Sequence, residues 1–529
     1  MRKFLCLFIF HLFCCAIFGQ ITTDEETVSF KMNVPVLTKS EKTQKILPAL
    51  DMNRIAQEDK KDEESGTPPR FGYKHEVSYN LDNSGEWLVL DNDDRIWRLN
   101  ISCPGALSIN LLYDQFWIPD GAKFFVYNND RKHTIGAITN KGDKENIIGY
   151  ATGLMYGDQI TLEYYLPKEV KEVGIISVAY VVHGYRYIFL SENNGKSEEG
   201  SADCHINVNC SQGNDWKNEK NAIAMILING NRVCTGALVN NTANDYAPYF
   251  LTASHCLYGS DAEGSFILSH WTFYWHYESP WCWGTSPTIL ATTGARVVAN
   301  SNSNSNGFDH SDFALLYLEE NPRYKSGVTP FYLGWDRSGV SGTGGVGIHH
   351  PVGDIKKIST YTMTPISTNY LYDAFDTNGS HWRVVWSSGI TESKSSGSPL
   401  INNDQKLIGQ LHGGWSSCDV PDNSDWYGKF SVSWTGSKTG TPVTSKYRRL
   451  NYWLDPLSID PPTLDGRGLC RTYYGYQSVT NRTTIFGCDA LNVQNVDITN
   501  GGKLTVVSGG EVTIEDYFEV VDGSEFEIK

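Results

Sequence analysis

The sequence has no second long apolar segment and no surplus of positive charge. Its one continuous apolar run extends from Phe4 to about Phe18 after Arg2 and Lys3, and it predicts a signal peptide over residues 1–19, with an uncleaved anchor as the alternative. Because no comparable run follows, we expect no membrane span after signal removal, and a protein that is secreted or at the cell surface. The net charge of −16, without a basic cluster, argues against a nucleic-acid partner, because such binding depends on neutralising phosphates.

The sequence also lacks the HExxH pattern of zinc peptidases and a complete calcium-binding loop. The acidic segment 91–94 has neither the loop glycine nor the terminal glutamate of a calcium site, so a turn accounts for it better. Paired histidines in aromatic segments usually have packing or surface roles, and we therefore predict no metal and no cofactor. The histidines concerned are His349, His350, His270 and His276.

Hydrophobic runs are short and are broken by Gly, Asn and other turn residues, which is typical of sheets joined by loops. With 529 residues the chain exceeds what one core usually supports, so we expect at least two mostly β domains. Residues 20–86 are polar and charged with little periodicity, and they predict a flexible leader. Residues 87–196 alternate apolar and polar positions, as in 96–101, and predict a β-sandwich.

The remaining chain divides into a long central segment and a short terminal one. Residues 197–460 are long enough for two six-stranded barrels, and the polar joint at 191–200 that precedes them is typical of an exposed linker. In residues 461–529, short apolar stretches such as 504–507 and 512–514 recur with Gly between them. This pattern predicts a module of stacked β repeats, with one more small sandwich as the alternative.

Three short motifs in the central segment contain the side chains of a serine-protease charge system. His255 follows an apolar strand end, Asp312 precedes a strongly apolar strand, and Ser396 precedes Gly397. A serine hydroxyl attacks a carbonyl only when a histidine takes its proton and a carboxylate holds the imidazole tautomer. The chain order His, Asp, Ser is that of chymotrypsin and favours a two-barrel β fold.

The nucleophile has to be chosen among Ser395, Ser396 and Ser398. At a tight glycine-rich turn, the nucleophile's own N–H and that of the residue two before it point at the developing oxyanion. Ser396 before Gly397 fits this requirement best, and it makes the backbone N–H groups of Lys394 and Ser396 the predicted oxyanion hole.

These motifs, together with others around them, resemble the bacterial lysyl endopeptidases, which are secreted trypsin-like serine proteases. The resemblance implies a trypsin-like double β-barrel over residues 197–460, the triad His255, Asp312 and Ser396, and an acyl-enzyme that hydrolyses protein or peptide substrates after lysine. We expect a monomer. The segments that carry the resemblance are Cys204–Cys210, Cys234–Thr242, Leu251–Cys256, Ser311–Leu316, Ser395–Leu400, Gly409–Gly414 and Ser424–Gly428.

The resemblance also implies a substrate pocket. It places the specificity carboxylate at Asp425 and substrate contacts at His412, Gly413 and Gly414. An ammonium group that enters a pocket loses its hydration and needs a fixed negative partner, so a preference for lysine is physically consistent with Asp425.

Nine of the 12 cysteines remain after the signal peptide, which is an odd number. Cys470 and Cys488 lie close together near the end, with their pairing left open, and Cys103 is left over. The disulfides implied by the resemblance are Cys204–Cys418, Cys210–Cys282 and Cys234–Cys256.

The chain departs from the family at two places. Lys394 replaces the usual glycine two residues before the nucleophile, which costs about 1–2 kcal/mol if φ is positive there. This departure leaves open a non-catalytic trypsin-fold binding or adhesion protein with an impaired oxyanion hole. The family also has a tryptophan stacked near the catalytic histidine, for which only Tyr370 and Tyr372 are candidates here.

Activation is expected to differ from that of animal trypsins. Ser395 occupies the position where those enzymes carry an aspartate that pairs with the new amino terminus, so activation by terminal insertion is not expected. The linker instead predicts a cut between Lys196 and Ser197 that releases residues 20–196 as a propeptide. An enzyme specific for lysine can make this cut itself.

Overall fold

The computed structural model describes residues 26–64, 67–188, 200–257, 266–284, 289–301 and 310–529. The predicted signal peptide and the predicted cleavage site at Lys196 and Ser197 lie outside these ranges. Within them the chain is mostly β, as predicted, and none of the helices is both long and apolar enough to cross a membrane. The α-helices are Val28–Lys31, Met52–Glu64, Phe430–Thr435 and Asn451–Leu454, and the 3-10 helices are Ser211–Gly213, Glu219–Ala222, Ser254–Leu257, Pro322–Tyr324, Pro351–Gly353 and Lys446–Arg448.

Two sheets in the amino-terminal part share one buried core, to which Leu99 of the first sheet and Leu111 of the second contribute. This arrangement is a β-sandwich. The first sheet consists of Gln44–Ile46, Glu86–Val89, Arg95–Ser102, Lys123–Asn128, Thr134–Ile138 and Gln159–Leu166. The second consists of Gly72–Asn80, Ser108–Trp117, Tyr150–Ala151, Met155–Tyr156 and Ile175–Gly184.

The expectation of a flexible leader over residues 20–86 is wrong for the part described. The segment contains the helix Met52–Glu64, and the strand Gly72–Asn80 already belongs to the sandwich. Charged side chains of this segment take part in tertiary contacts, since Arg70 forms ion pairs with Asp59 at 2.6 Å and with Glu58 at 2.7 Å. Long-range ion pairs of this kind leave no periodic signal in the sequence.

The central part has a trypsin-like fold made of a closed barrel and a second, ten-stranded sheet. Apolar side chains from both, such as Leu315 and Ile401, share one core. The closed barrel consists of Ile223–Ile228, Arg232–Leu238, Tyr249–Ala253, Phe266–Trp275, Leu290–Asn300 and Phe313–Leu318. The second sheet consists of Ile206–Asn207, Trp335–Asp336, Gly345–His349, Lys357–Tyr361, Ile366–Thr368, His381–Val384, Pro399–Asn402, Leu407–Gly414, Asp425–Lys429 and Thr463–Leu464.

The carboxy-terminal strands pair in parallel, with Arg482 opposite Lys503 and Lys503 opposite Glu525. Parallel stacking at this short spacing is typical of a β-repeat module, as predicted, and not of a small antiparallel sandwich. Its strands are Arg471–Val479, Arg482–Ile498, Lys503–Ser508, Glu511–Val520 and Glu525–Ile528, and the short strand Arg467–Gly468 before them pairs with Phe331–Tyr332.

Candidate active site

Neighbouring strands bring His255 and Asp312 together. The strands Tyr249–Ala253 and Phe313–Leu318 pair antiparallel, with Ala253 opposite Phe313, so the residues that follow the first and precede the second lie side by side. His255 Nδ1 lies 2.7 Å from Asp312 Oδ2, and the His255 backbone N–H donates to Asp312 Oδ1 over 3.0 Å. The carboxylate therefore fixes both the ring and the backbone of the histidine.

The electrostatics of this pair suit proton transfer. Burial lowers the pKa of His255, but the charge of Asp312 and its hydrogen bond outweigh burial and leave the pKa raised above 6.5. Burial raises the pKa of Asp312, but the neighbouring imidazoles of His412 and His255 outweigh it and leave the pKa lowered. Asp312 is thus ionised at neutral pH, and with Nδ1 engaged, Nε2 of His255 is the nitrogen able to accept a proton.

Ser396 lies in a turn that is tied to the closed barrel next to His255. Its carbonyl oxygen accepts from the Thr235 N–H over 2.9 Å, and Thr235 follows Cys234, whose disulfide partner Cys256 follows His255. The next residue, Gly397, has φ of +83°, and a Cβ there would collide with the barrel. Among the described residues no hydrogen bond joins His255 to Ser396, a link that often forms only with substrate bound.

The backbone at the predicted oxyanion hole is strained. Lys394 has φ of +73°, the positive value on which the expected cost depends. Lys394 Nζ donates to the Val352 carbonyl over 3.0 Å, and the Val352 N–H donates to the Ser393 carbonyl over 2.7 Å. The turn is therefore bonded to the segment around Val352, which itself has φ of +46°, a rare value for a β-branched residue.

Asp425 is buried, with only 1% of its surface exposed, at the start of the strand Asp425–Lys429. Its Oδ2 accepts hydrogen bonds of 2.7 Å each from Trp386 Nε1, Thr391 Oγ1 and Ser416 Oγ. Burial raises its pKa, and these hydrogen bonds oppose that effect only in part. No lysine or arginine within the described ranges forms an ion pair with this carboxylate, which makes it an oriented acid without an internal cation.

His412 lies beside the triad, where it contacts the side chains of Asp312 and His255. Its Nε2 is 3.7 Å from Asp312 Oδ2, and its ring stacks on His255 with centroids 5.6 Å apart. On its other side Tyr370 stacks at 3.5 Å, and His381 Nε2 is 3.0 Å from His412 Nδ1. Burial lowers the pKa of His412 to about 4, so the ring is neutral at pH 7.

Of the two tyrosine candidates for the family's stacking position, the structure favours Tyr370. Its ring stacks on His412, and His412 in turn stacks on His255. Tyr372 is 56% exposed. Its carbonyl oxygen, in the same loop, accepts from Trp426 Nε1 over 3.1 Å. His381 was not identified from the sequence, because a single histidine within a strand gives no signal of its neighbours.

The disulfides are those the resemblance implied, with one addition. Cys103 is unpaired and buried, and burial raises the pKa of its thiol to about 12, so it is inert at neutral pH. The bonded pairs are Cys204–Cys418, Cys210–Cys282, Cys234–Cys256 and the additional pair Cys470–Cys488.

The histidines considered as metal ligands all have protein hydrogen-bond partners. His349 Nδ1 contacts Ser395 Oγ at 2.8 Å, and His350 Nδ1 contacts the Asp354 carbonyl at 3.0 Å. Elsewhere, His270 Nε2 contacts the Tyr113 carbonyl at 2.9 Å, and His276 Nε2 accepts from the Thr329 N–H over 3.0 Å. The contact of His349 with Ser395 was not foreseen from the sequence.

Comparison with known proteins finds similarity over the part of the chain that contains this site. Residues 198–428 match the family described as lysyl endopeptidase, C-terminal domain. The chain is 28% identical over 384 residues to lysyl endopeptidase of Pseudomonas aeruginosa, an alignment that covers 65% of this chain and 75% of that protein. With the fold and the site, this makes the protein a serine endopeptidase of the trypsin-like class. Within that class, residues 198–428 are similar to the lysyl endopeptidases.

Solved structures of similar fold include two other proteases. A Glu endopeptidase is 18% identical, with 43% of this chain and 92% of that chain covered and a TM-score of 0.27. A thermostable serine protease AL20 from an extremophilic microorganism is 17% identical, with 40% and 92% covered and a TM-score of 0.28.

Proposed function

We propose that this protein is a secreted endopeptidase that hydrolyses peptide bonds after lysine. Ser396 is the nucleophile, His255 the general base and Asp312 the group that orients it. The observation that carries the proposal is the state of Asp425, a buried and fully oriented carboxylate without a cationic partner among the described residues. The apolar leader sequence and the four disulfides support secretion and an oxidising compartment.

The reaction follows from the proposed roles. Ser396 Oγ attacks the carbonyl carbon while its proton passes to His255 Nε2, and the resulting oxyanion accepts from the N–H groups of Lys394 and Ser396. Collapse of this intermediate breaks the C–N bond, and His255 gives the proton to the leaving amine. Water then attacks the acyl-enzyme with His255 as base, which releases the carboxylate product and restores the Ser396 hydroxyl.

A lysine side chain suits the buried carboxylate of Asp425. A long side chain with a terminal ammonium brings hydrogen-bond donors to the buried carboxylate. The attraction between ammonium and carboxylate offsets the hydration that both groups lose only where the carboxylate is already oriented. Gly414, opposite Asp425 in the sheet, leaves room for this approach, because a Cβ at that position would collide with the carboxylate.

Covalent labelling tests the nucleophile. A diphenyl phosphonate with a lysine-like side chain should add one adduct to the processed enzyme, and peptide mapping should place it on Ser396. Ser396→Ala is the control and should remain unlabelled, whereas Ser395→Ala should still be labelled. A processed wild-type protein that resists the reagent would favour a non-catalytic binding or adhesion role instead.

A further inference from the structure

A chain of hydrogen bonds lies beneath the proposed oxyanion hole. His349, at the end of the strand Gly345–His349, is fully buried. Its Nδ1 lies 2.8 Å from Ser395 Oγ, and its Nε2 lies 3.2 Å from Ser359 Oγ. Ser359 Oγ in turn donates to the Ile390 carbonyl over 2.6 Å. Four groups are thus joined in one line that ends between Lys394 and Ser396.

The chemistry of these groups fixes the direction of every proton in the line. A carbonyl only accepts, so the Ser359 hydroxyl donates to Ile390 and is free to accept from His349. Nε2 of His349 must then carry the proton, and Nδ1 of the neutral ring accepts from the Ser395 hydroxyl. The imidazole is neutral because burial, reinforced by repulsion from neighbouring basic side chains, holds its pKa well below the usual value. Those neighbours are His205, His350 and Lys357.

The turn that receives this bond needs external support. Lys394 is held at φ of +73°, a conformation that a residue with a Cβ keeps only where its surroundings impose it. The backbone N–H of Ser395 also donates to the Glu392 carbonyl over 3.0 Å, and its backbone carbonyl accepts from the Ser398 N–H over 3.0 Å. A bond to the Ser395 side chain therefore acts on the centre of the turn, between the two N–H groups that face the oxyanion.

We propose that His349 is a positioning residue that holds the oxyanion turn in its reactive conformation through Ser395. This inference rests on the proposed function of Ser396 and extends it. It explains how the turn is held although position 395 has no carboxylate to pair with an amino terminus. Instead, the hydrogen bonds that run from Ile390 through Ser359 and His349 to Ser395 hold the turn.

Three substitutions at His349 separate positioning from packing. His349→Asn places an amide oxygen close to the position of Nδ1, where it can still accept from Ser395. His349→Gln extends towards Ser359 but offers nothing at the Nδ1 position, and His349→Leu removes both bonds. Tyr361→Phe is the matched control, because it deletes a buried hydroxyl that donates to the Ile401 carbonyl over 3.3 Å in the same sheet, without a bond to the turn.

The variants are processed with a trace of tagged wild-type enzyme, which is then removed, and two inhibitors are compared. A peptidyl boronate with lysine at the cleaved position needs the oxyanion hole, whereas n-butylammonium needs only the Asp425 pocket. We expect His349→Leu and His349→Gln to lose about 10- to 100-fold in kcat and in boronate affinity. We expect butylammonium affinity to be retained, His349→Asn to recover most of the loss, and Tyr361→Phe to match wild type.

A double variant at Ser395 and His349 provides the second readout. In a Ser395→Ala background, His349→Leu should cost little further activity, because the bond is already absent. Equal losses for both inhibitors, no recovery in His349→Asn, or additive losses in the double variant would overturn the positioning role. A wild-type enzyme that binds butylammonium but not the boronate would overturn the proposed function, and the positioning role with it. An active wild type with unchanged His349 variants would overturn the positioning role alone.

Discussion

Lys394 occupies the position, two residues before the proposed nucleophile, at which the lysyl endopeptidases usually have glycine. A side chain at φ of +73° costs about 1–2 kcal/mol, so Lys394→Gly should relieve strain in the oxyanion turn and raise the acylation rate constant up to about 10-fold. Pre-steady-state release of a chromogenic leaving group measures this constant. Lys394→Ala removes the Nζ bond to Val352 but keeps the Cβ, and it should show no gain; an unchanged or lower value for glycine would refute the strain argument.

The protonation of His255 determines the acid limb of activity. Its pKa is raised by Asp312, and only the neutral ring accepts the Ser396 proton, so kcat/KM should rise with pH through a midpoint above 6.5. Asp312→Asn removes the charge that raises the pKa and should move the midpoint down while activity falls by about four orders of magnitude. A pH profile of kcat/KM for both enzymes checks this, and a wild-type midpoint below 6.5 would contradict it.

At the scale of elements, the disulfide Cys234–Cys256 joins the strand Arg232–Leu238, which is bonded to Ser396, to the 3-10 helix Ser254–Leu257, which contains His255. Replacing both cysteines by alanine should lower the free energy of unfolding by about 3 kcal/mol and also reduce kcat/KM. The pair Cys470–Cys488 is the control, because its sequence separation of 18 is close to the 22 of the first pair but it lies in the terminal module. Urea unfolding and kinetics should show similar instability with activity lost only in the first case; equal kinetic losses would argue against a role in positioning.

Elements also show how far sequence reasoning extends. The strand ends before His255 and after Asp312 are visible as apolar runs, and the turn at Ser396 is visible from its glycine. The ring of His381 and the contact between His349 and Ser395 depend on strands far apart in the chain, which a linear pattern does not record. The helix Met52–Glu64 was not predicted for a related reason, since its acidic side chains pair with arginines that lie outside the helix in the sequence.

At the scale of the whole molecule, the sandwich is docked on the closed barrel. The Phe71 N–H donates to the Asn231 carbonyl over 2.9 Å, and Arg232 pairs with Asp62 at 2.6 Å. Ile188, the last described residue before the proposed cleavage segment, packs into a cluster buried between the two parts. A cut after Lys196 would therefore leave the sandwich attached by contacts alone.

Self-processing is tested with Ser396→Ala. If the enzyme makes the cut itself, this variant should accumulate as a precursor that retains residues 20–196, while Ser395→Ala, which keeps the nucleophile, should be processed more slowly than the wild type but not blocked. Intact-mass analysis after expression in a protease-poor host distinguishes the two forms. Normal processing of the inactive variant would exclude self-cleavage, and the proposed cleavage of substrates after lysine would remain unaffected.

The most direct test of lysine cleavage is the set of peptides released from a denatured protein substrate. Mass spectrometry should find lysine at the carboxy terminus of every peptide formed by the wild-type enzyme, and Asp425→Asn should lose this preference along with most of the activity. Peptides that end throughout in residues other than lysine, or an Asp425→Asn variant with undiminished lysine cleavage, would contradict the assignment of the buried carboxylate.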